Sequence, residues 1–188
     1  ALYFATLYSL YKEVPFFYHI PQIIFHITNA ILIFFLLKGF IDKKLSFFLS
    51  LIFLIHPIQI ESVSFIAATA SPLFFLFGIT AFMLSQKENI SIKNLVIISI
   101  LLLLSLLTKE TGILFIVIIF LYRLLFNRKN MISFLIAALL ICLAYSIIRF
   151  GVGEIYFTER ELTPIARLSL TERLMNIPAI ILYYLKTF

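Results

Sequence analysis

The chain has 188 residues, of which 63% are hydrophobic and only 13% charged, and its formal net charge is +6. A water-soluble domain of this size cannot bury so much apolar surface, so the composition predicts a polytopic membrane protein. The basic residues lie mostly beside apolar runs, where membrane topology explains them, and they do not indicate a nucleic-acid partner. The single cysteine excludes an internal disulfide, and no zinc-ligand spacing is present.

The N-terminal part of the chain leads into a first span. Residues 1–18 are aromatic and lightly charged, and they predict an outer interfacial helix that Pro15 ends. The apolar run at about 21–40 is long enough to cross a bilayer. Four polar residues recur along its start at three- and four-residue spacing, which places them on one helical stripe: His19, Gln22, His26 and Asn29. Such a stripe either bonds neighbouring helices or lines a wet cavity.

A polar stretch from His56 to Glu61 follows the apolar run at 45–55. That run is too short to cross a membrane alone, and Pro57 breaks helices. Whether the span extends through this stretch or ends at it, both polar residues are expected below the membrane surface. Glu61 is predicted as a general base, or as an ion-pair partner of Lys109 or Arg149. His56 is predicted to orient Glu61 or bind a phosphate, or simply to cap the short helix.

A second polar group, Lys109 and Glu110, separates the apolar runs at 95–107 and 113–126. These two charges complement the end of one helix and the start of the next, which accounts for them fully. A lysine beside a helix N-terminus is equally a phosphate site. Arg149, at the end of the run at 131–148, is expected to contact an anionic lipid head. An outer loop at 149–176 and the start of a further span at 177–188 complete the chain.

The distribution of basic residues predicts the topology. The turns at 38–44, 86–94 and 123–130 hold eight of the 15 basic residues, and the positive-inside rule places them in the cytoplasm. The three polar sets then share the extracytoplasmic face, which is periplasmic or extracellular, or lumenal in the endoplasmic reticulum of a eukaryote. The expected architecture is one all-α transmembrane bundle over 1–188, with an interfacial segment at 1–20, spans over 21–148, and about six to seven spans in total.

Three runs in this order resemble the membrane portion of GT-C glycosyltransferases: YHIPQIIFHITNAILIFFLL, HPIQIESVSFIAA and LSLLTKETGILFIVIIFLYRLL. The likeness is greatest to the protein O-mannosyltransferase-like group that carries tetratricopeptide repeats. By position, His56, Pro57 and Glu61 fall on that family's His-Pro…Glu element, and Lys109 and Glu110 on its Lys-Glu element. His19, His26 and Asn29 fall on its His…His…Asn helix. The resemblance implies a GT-C helical fold and an inverting transferase that uses a polyprenyl-phosphate sugar and a protein or lipid acceptor.

Two departures from the family pattern limit this expectation. The family's acidic catalytic motif would precede Ala1, and Thr69-Ala70-Ser71 stands where a basic-acidic step often follows the His-Pro…Glu element. The chain is therefore expected to be a fragment that is inactive alone. Its own residues predict no cofactor, and any divalent cation is expected to be bound upstream of Ala1.

The predicted function is a membrane glycosyltransferase whose partners are a lipid-linked sugar, an acceptor and membrane lipids, without nucleic acid. The predicted site residues are Glu61 and His56 as catalytic groups; Lys109, Arg149 and His26 as donor-phosphate ligands; and His19, Gln22, Asn29 and Glu110 as supporting groups. A transporter or lipid flippase is the alternative, and a non-catalytic scaffold is a third hypothesis. Transport needs polar residues near mid-bilayer on several helices, whereas these polar sets crowd one face, which favours the enzyme.

Overall fold

The computed structural model describes residues 2–152 and 169–187, and every regular element in that part is helical. The α-helices are α1 Leu2–Tyr11, α2 Phe16–Leu37, α3 Lys43–Ile55, α4 Ile60–Ser64, α5 Ala70–Ser85, α6 Ile92–Thr108, α7 Ile113–Phe126, α8 Met131–Ser146 and α9 Leu170–Thr187. Short 3-10 turns lie at Pro57–Gln59, Ile66–Thr69 and Glu110–Gly112, and a π-helical turn lies at Ile147–Val152. The all-α prediction is confirmed for the described residues.

The number of spans is smaller than predicted. Three helical stretches are long and apolar enough to cross a membrane: Phe16–Leu37, Ile66–Ser85 and Met131–Gly151. The pair Lys43–Ile55 and Pro57–Ser64, bent by 48°, makes a fourth if it is one broken span. The expectation of six to seven spans is therefore wrong for the described residues. It counted every apolar run, but α6 and α7 have only 17 and 14 residues. Those lengths are roughly 26 and 21 Å, short of a hydrocarbon core of about 30 Å.

The start of the chain differs in one detail from the expectation. α1 ends at Tyr11, before Pro15, and Lys12 follows it with a left-handed φ of 52°. Pro15 instead occupies the N-cap of α2, where its missing N–H removes no helical hydrogen bond. The proline thus begins the second helix rather than ending the first.

Residues Ala1–Ile148 form one compact unit, in which α2 packs on α3 and α5, and α5 packs along α6. Its core includes Ile79, Ile98, Leu102, Ile119 and Phe134. Many large apolar side chains outside this core are exposed, among them Phe47, Phe48 and Ile132. An outer surface of this kind suits lipid, and the apolar helices indicate an integral membrane protein.

A glycine fixes the approach of α5 to α7. A Cβ at Gly78 would overlap the ring of Phe115, which fills the space beside the α5 backbone. Phe115 also packs edge-on against Phe75, with ring centroids 5.6 Å apart. The absence of a side chain at 78 therefore sets how closely these two helices pack.

Residues Arg149–Phe188 form a second unit, of which the structure describes 149–152 and 169–187. The predicted outer loop at 149–176 lies largely at 153–168, outside the described residues. α9 already begins at Leu170, ahead of the further span expected from 177. Ser169 caps it: the Glu172 carboxylate accepts from both the backbone N–H and the hydroxyl of Ser169, each at 2.8 Å.

Candidate functional site

The polar stripe of α2 bonds to backbone carbonyls between the end of α3 and the start of α5. The Gln22 amide nitrogen donates to the carbonyls of Ser62 and Phe65, at 2.7 Å each. His26 Nε2 lies 3.0 Å from the Leu54 carbonyl, and the Asn29 amide nitrogen donates to the Pro72 carbonyl at 2.8 Å. Since a carbonyl oxygen only accepts, Nε2 of His26 must carry its proton.

The Leu54 carbonyl needs a donor because the helical backbone is broken after α3. Pro57 has no N–H, and α3 ends at Ile55. The N–H of Ile58, which would bond to Leu54 in a continuous helix, instead donates to Nδ1 of His56 at 3.2 Å. His26 replaces that lost donor to Leu54. The stripe thus bonds neighbouring elements, one of the two roles expected for it.

A cavity of about 290 Å³ lies where this broken segment meets α2, α5 and α6. Its polar lining residues are His26, Asn29, Gln59, Ser62, Ser71 and Lys109. The rings of Phe53, Phe74 and Phe75 line the rest together with Pro72. All three polar sets singled out in the sequence therefore contribute to one cavity, as expected from their shared face.

Lys109 supplies the only charge among the cavity-lining residues that the structure describes, apart from any proton on His26. Its ammonium nitrogen donates to the Ser71 hydroxyl at 2.9 Å and lies 5.5 Å from the centroid of the Phe74 ring. The side chain is exposed, and within the described residues it makes no ion pair with Glu61. An ammonium held by a neutral hydroxyl and a ring keeps its positive charge available to an anion.

The two residues predicted as catalytic lie beside the cavity rather than in its lining. His56 is exposed, and its side chain caps the 3-10 turn at Pro57–Gln59 that follows it. The expected capping was of the short helix before it. Glu61 is exposed in the first turn of α4, one residue before the lining residue Ser62. Their catalytic roles remain predictions.

The other predicted site residues are outside the cavity lining. His19 is half-buried in the first turns of α2, and Gln22 is fully buried behind the cavity wall. Glu110 is exposed and begins the 3-10 turn after Lys109. Arg149 is half-buried in the second unit, and its lipid-binding role remains a prediction. Within 2–152 and 169–187, no three His, Cys, Asp or Glu side chains are grouped as a metal site.

Three polar lining residues were not predicted: Gln59, Ser62 and Ser71. Gln59 lies in the His56–Glu61 stretch, so its position was a usable signal. The two serines lie in the small-residue segment before and within α5, which indicates close packing as readily as a site. Ser71 occupies one of the positions at which the sequence departs from the GT-C pattern.

The opposite end of the bundle is organised by a buried arginine that composition placed among the topology-determining charges. Arg123 is fully buried and donates to the carbonyls of Ser85 and Lys87 at 3.0 Å each, and to that of Lys129. Its guanidinium also lies 5.0 Å from the Phe134 ring centroid. Arg123 therefore ties the end of α5 to the turn before α8, a structural role rather than a surface charge.

The chain shares sequence with a curated human protein. The human protein O-mannosyl-transferase TMTC3 is 34% identical over 76 residues, which are 40% of this chain and 8% of that protein. This chain resembles a protein O-mannosyl-transferase. The likeness is distant and partial, it agrees with the resemblance read from the motifs, and it points to the membrane glycosyltransferases. No protein-family model and no solved structure matches the sequence.

Proposed function

We propose that this chain is part of a membrane glycosyltransferase that moves a sugar from a polyprenyl-phosphate donor to a protein or lipid acceptor on the extracytoplasmic face. The observation that carries the proposal is the ammonium of Lys109 at the cavity, which is held by Ser71 and Phe74 and by no carboxylate among the residues that the structure describes. The partial likeness to a protein O-mannosyl-transferase supports the same class of enzyme.

The chemistry requires a cation where the leaving group develops charge. The acceptor hydroxyl oxygen forms a bond to the anomeric carbon of the sugar while the bond from that carbon to the phosphate oxygen breaks. The polyprenyl phosphate leaves with the bonding electron pair, and a base takes the hydroxyl proton. Lys109 would stabilise the phosphate as its negative charge increases.

Glu61 remains the proposed base on this chain. It lies in α4 next to Ser62, so its helix borders the cavity, although its carboxylate does not line it. His56 would orient it, and His26 would add a donor to the phosphate. Because Nε2 of His26 is bonded to Leu54, only Nδ1 is left for a ligand, and it donates only in the imidazolium form.

The position of the cavity favours an enzyme over a transporter. Its walls come from the first half of α2, the broken segment, the start of α5 and the end of α6, which meet at one end of the bundle. The other end is occupied by Arg123, which is fully buried and donates to backbone carbonyls. A transport path needs access from both sides of the membrane.

The experiment uses the full-length protein in membranes with a polyprenyl-phosphate mannose donor, and it measures transfer to protein and lipid acceptors. Lys109→Ala is expected to lower kcat/KM by at least about 10²-fold, the loss typical of one transition-state donor. Lys93→Ala is the matched control, because Lys93 is exposed at the opposite end of the same helix. Glu61→Gln tests the base, with exposed Glu88→Gln as its control.

Equal activity of Lys109→Ala and Lys93→Ala would remove the phosphate role. Loss of transfer in Lys109→Ala with full activity in Glu61→Gln would keep the phosphate site and assign the base to another residue. A wild-type protein that moves the lipid donor between leaflets without transferring its sugar would favour the flippase alternative.

A further inference from the structure

Asn29 belongs to the cavity lining, and its amide carries a buried oxygen that accepts no hydrogen bond from the described residues. Its amide nitrogen must face the Pro72 carbonyl, 2.8 Å away, because two oxygens without a proton cannot bond. That contact leaves Oδ1 on the other side of the amide. The side chain is only 1% exposed, and Oδ1 is buried without a hydrogen-bond partner within the described residues.

A buried hydrogen-bond acceptor without a donor is uncommon in proteins. Leaving one unpaired costs free energy comparable to a lost hydrogen bond. Asn29 belongs to the cavity lining, as does Lys109, which supplies the positive charge. An occupant that pairs with both groups must carry an anion for Lys109 and a hydroxyl or similar donor for Asn29.

We infer that Asn29 reads one hydroxyl of the donor's sugar through Oδ1 while Lys109 holds the phosphate. This inference rests on the proposed function and makes Asn29 a specificity residue of the same site. Oδ1 is covered by neighbouring atoms, so the lining side chains must shift when the sugar enters. The Phe74 and Phe75 rings, which are half-buried in the lining, offer apolar surface to the C–H groups of the sugar.

Gln22 provides a matched control on the same helix. Its amide nitrogen also donates to backbone carbonyls, and its Oε1 is likewise buried without a partner. Gln22 is not part of the cavity lining. Replacing Gln22 therefore removes similar structural bonds without touching the occupant.

The test measures binding of a polyprenyl-phosphate mannose, and of analogues that each lack one sugar hydroxyl, to the full-length protein. In the wild type, one analogue is expected to bind roughly tenfold more weakly, the effect of leaving one buried acceptor unpaired. Asn29→Leu is expected to bind the parent donor about as weakly as that analogue and to lose the discrimination. Gln22→Leu is expected to keep it.

Binding that falls equally for every analogue, or not at all, in the wild type overturns the inference without any variant, and shows that water satisfies Oδ1. The same holds if discrimination survives in Asn29→Leu. Lys109→Ala separates the two proposals. If donor binding depends on Lys109 but is the same for every analogue, the phosphate site stands and only the hydrogen bond from a sugar hydroxyl to Asn29 is ruled out. A wild-type protein that binds no donor removes both.

Discussion

His26 donates through Nε2 to the carbonyl of Leu54, 3.0 Å away, and replaces the helical N–H that Ile58 has given to His56. The break at Pro57 and the polar stripe of α2 are therefore two halves of one arrangement. The side chains of the stripe supply hydrogen-bond donors that stabilise the broken backbone inside a membrane, where each unpaired carbonyl costs several kcal/mol. The cavity forms beside this arrangement.

Replacing His26 tests that arrangement directly. His26→Leu leaves the Leu54 carbonyl without its donor and is expected to destabilise the protein by about 1–3 kcal/mol. Thermal unfolding in detergent measures the change, and His26→Gln, which keeps an N–H donor, should recover part of it. The control is Thr28→Val, since the Thr28 hydroxyl bonds only within α2. Equal stability of His26→Leu and wild type would contradict the assigned role.

Replacing Arg123 is expected to destabilise the protein more than replacing any exposed charged residue. Arg123→Ala removes donors to three carbonyls and the contact with Phe134, at a cost of at least about 3 kcal/mol. Arg123→Lys should recover little, because one ammonium cannot reproduce the fork of a guanidinium. The yield of monodisperse protein in detergent measures the effect. Arg128→Ala, at an exposed arginine one turn later, should behave as wild type.

Adding one methyl group at Gly78 should disturb the packing of α5 on α7. Gly78→Ala places a Cβ against the Phe115 ring, and overpacking of this kind costs about 1–3 kcal/mol. The double variant Gly78→Ala with Phe115→Leu should be less destabilised than the sum of the two single changes, measured by thermal unfolding. Gly151→Ala is the control, because a Cβ there meets nothing within 4 Å. Additive effects would show that the two sites do not interact.

The first turn of α9 is expected to respond to acid. Hydrogen bonds from the backbone and hydroxyl of Ser169 lower the pKa of Glu172 below its ordinary value of 4.5. A depressed pKa in the folded state contributes stability that is present above pH 4.5 and is lost as the pH falls through the folded value. Amide exchange at 170–173 should therefore accelerate at low pH, beyond the intrinsic pH dependence of exchange. In Ser169→Ala, the amides at 170–173 should already exchange fast at neutral pH and show little further acceleration in acid. If they remain protected from exchange, Ser169 and Glu172 do not stabilise the first turn of α9.

The sequence predicted the helical class and the gathering of polar sets because both follow from apolar runs and the residues that interrupt them. His26, Asn29 and Lys109 were found because a polar group in an apolar run needs a partner. The number of spans was overestimated because every apolar run was counted, including short ones. The helices α6 and α7, with 17 and 14 residues, do not reach across a bilayer core.

Residues whose role depends on partners far away in the sequence were not predictable. Ser71 acts on Lys109 across 38 positions, and Arg123 reaches Ser85 across the same separation. Nothing local marks either residue, since a serine in a small-residue segment and an arginine near a basic turn are both ordinary. Glu61 is the opposite case. The sequence singled it out as an acid between apolar runs, but its carboxylate lies outside the cavity lining.

The burial of Arg123 also affects how genetic data on this protein should be read. If the proposed function holds, a cellular screen that scores only the glycosylated product is expected to place Arg123 beside Lys109, since replacing either residue is expected to lower the amount of product. Quantifying protein abundance alongside product separates the two, because quality control degrades chains that misassemble but spares correctly assembled chains with an impaired reaction.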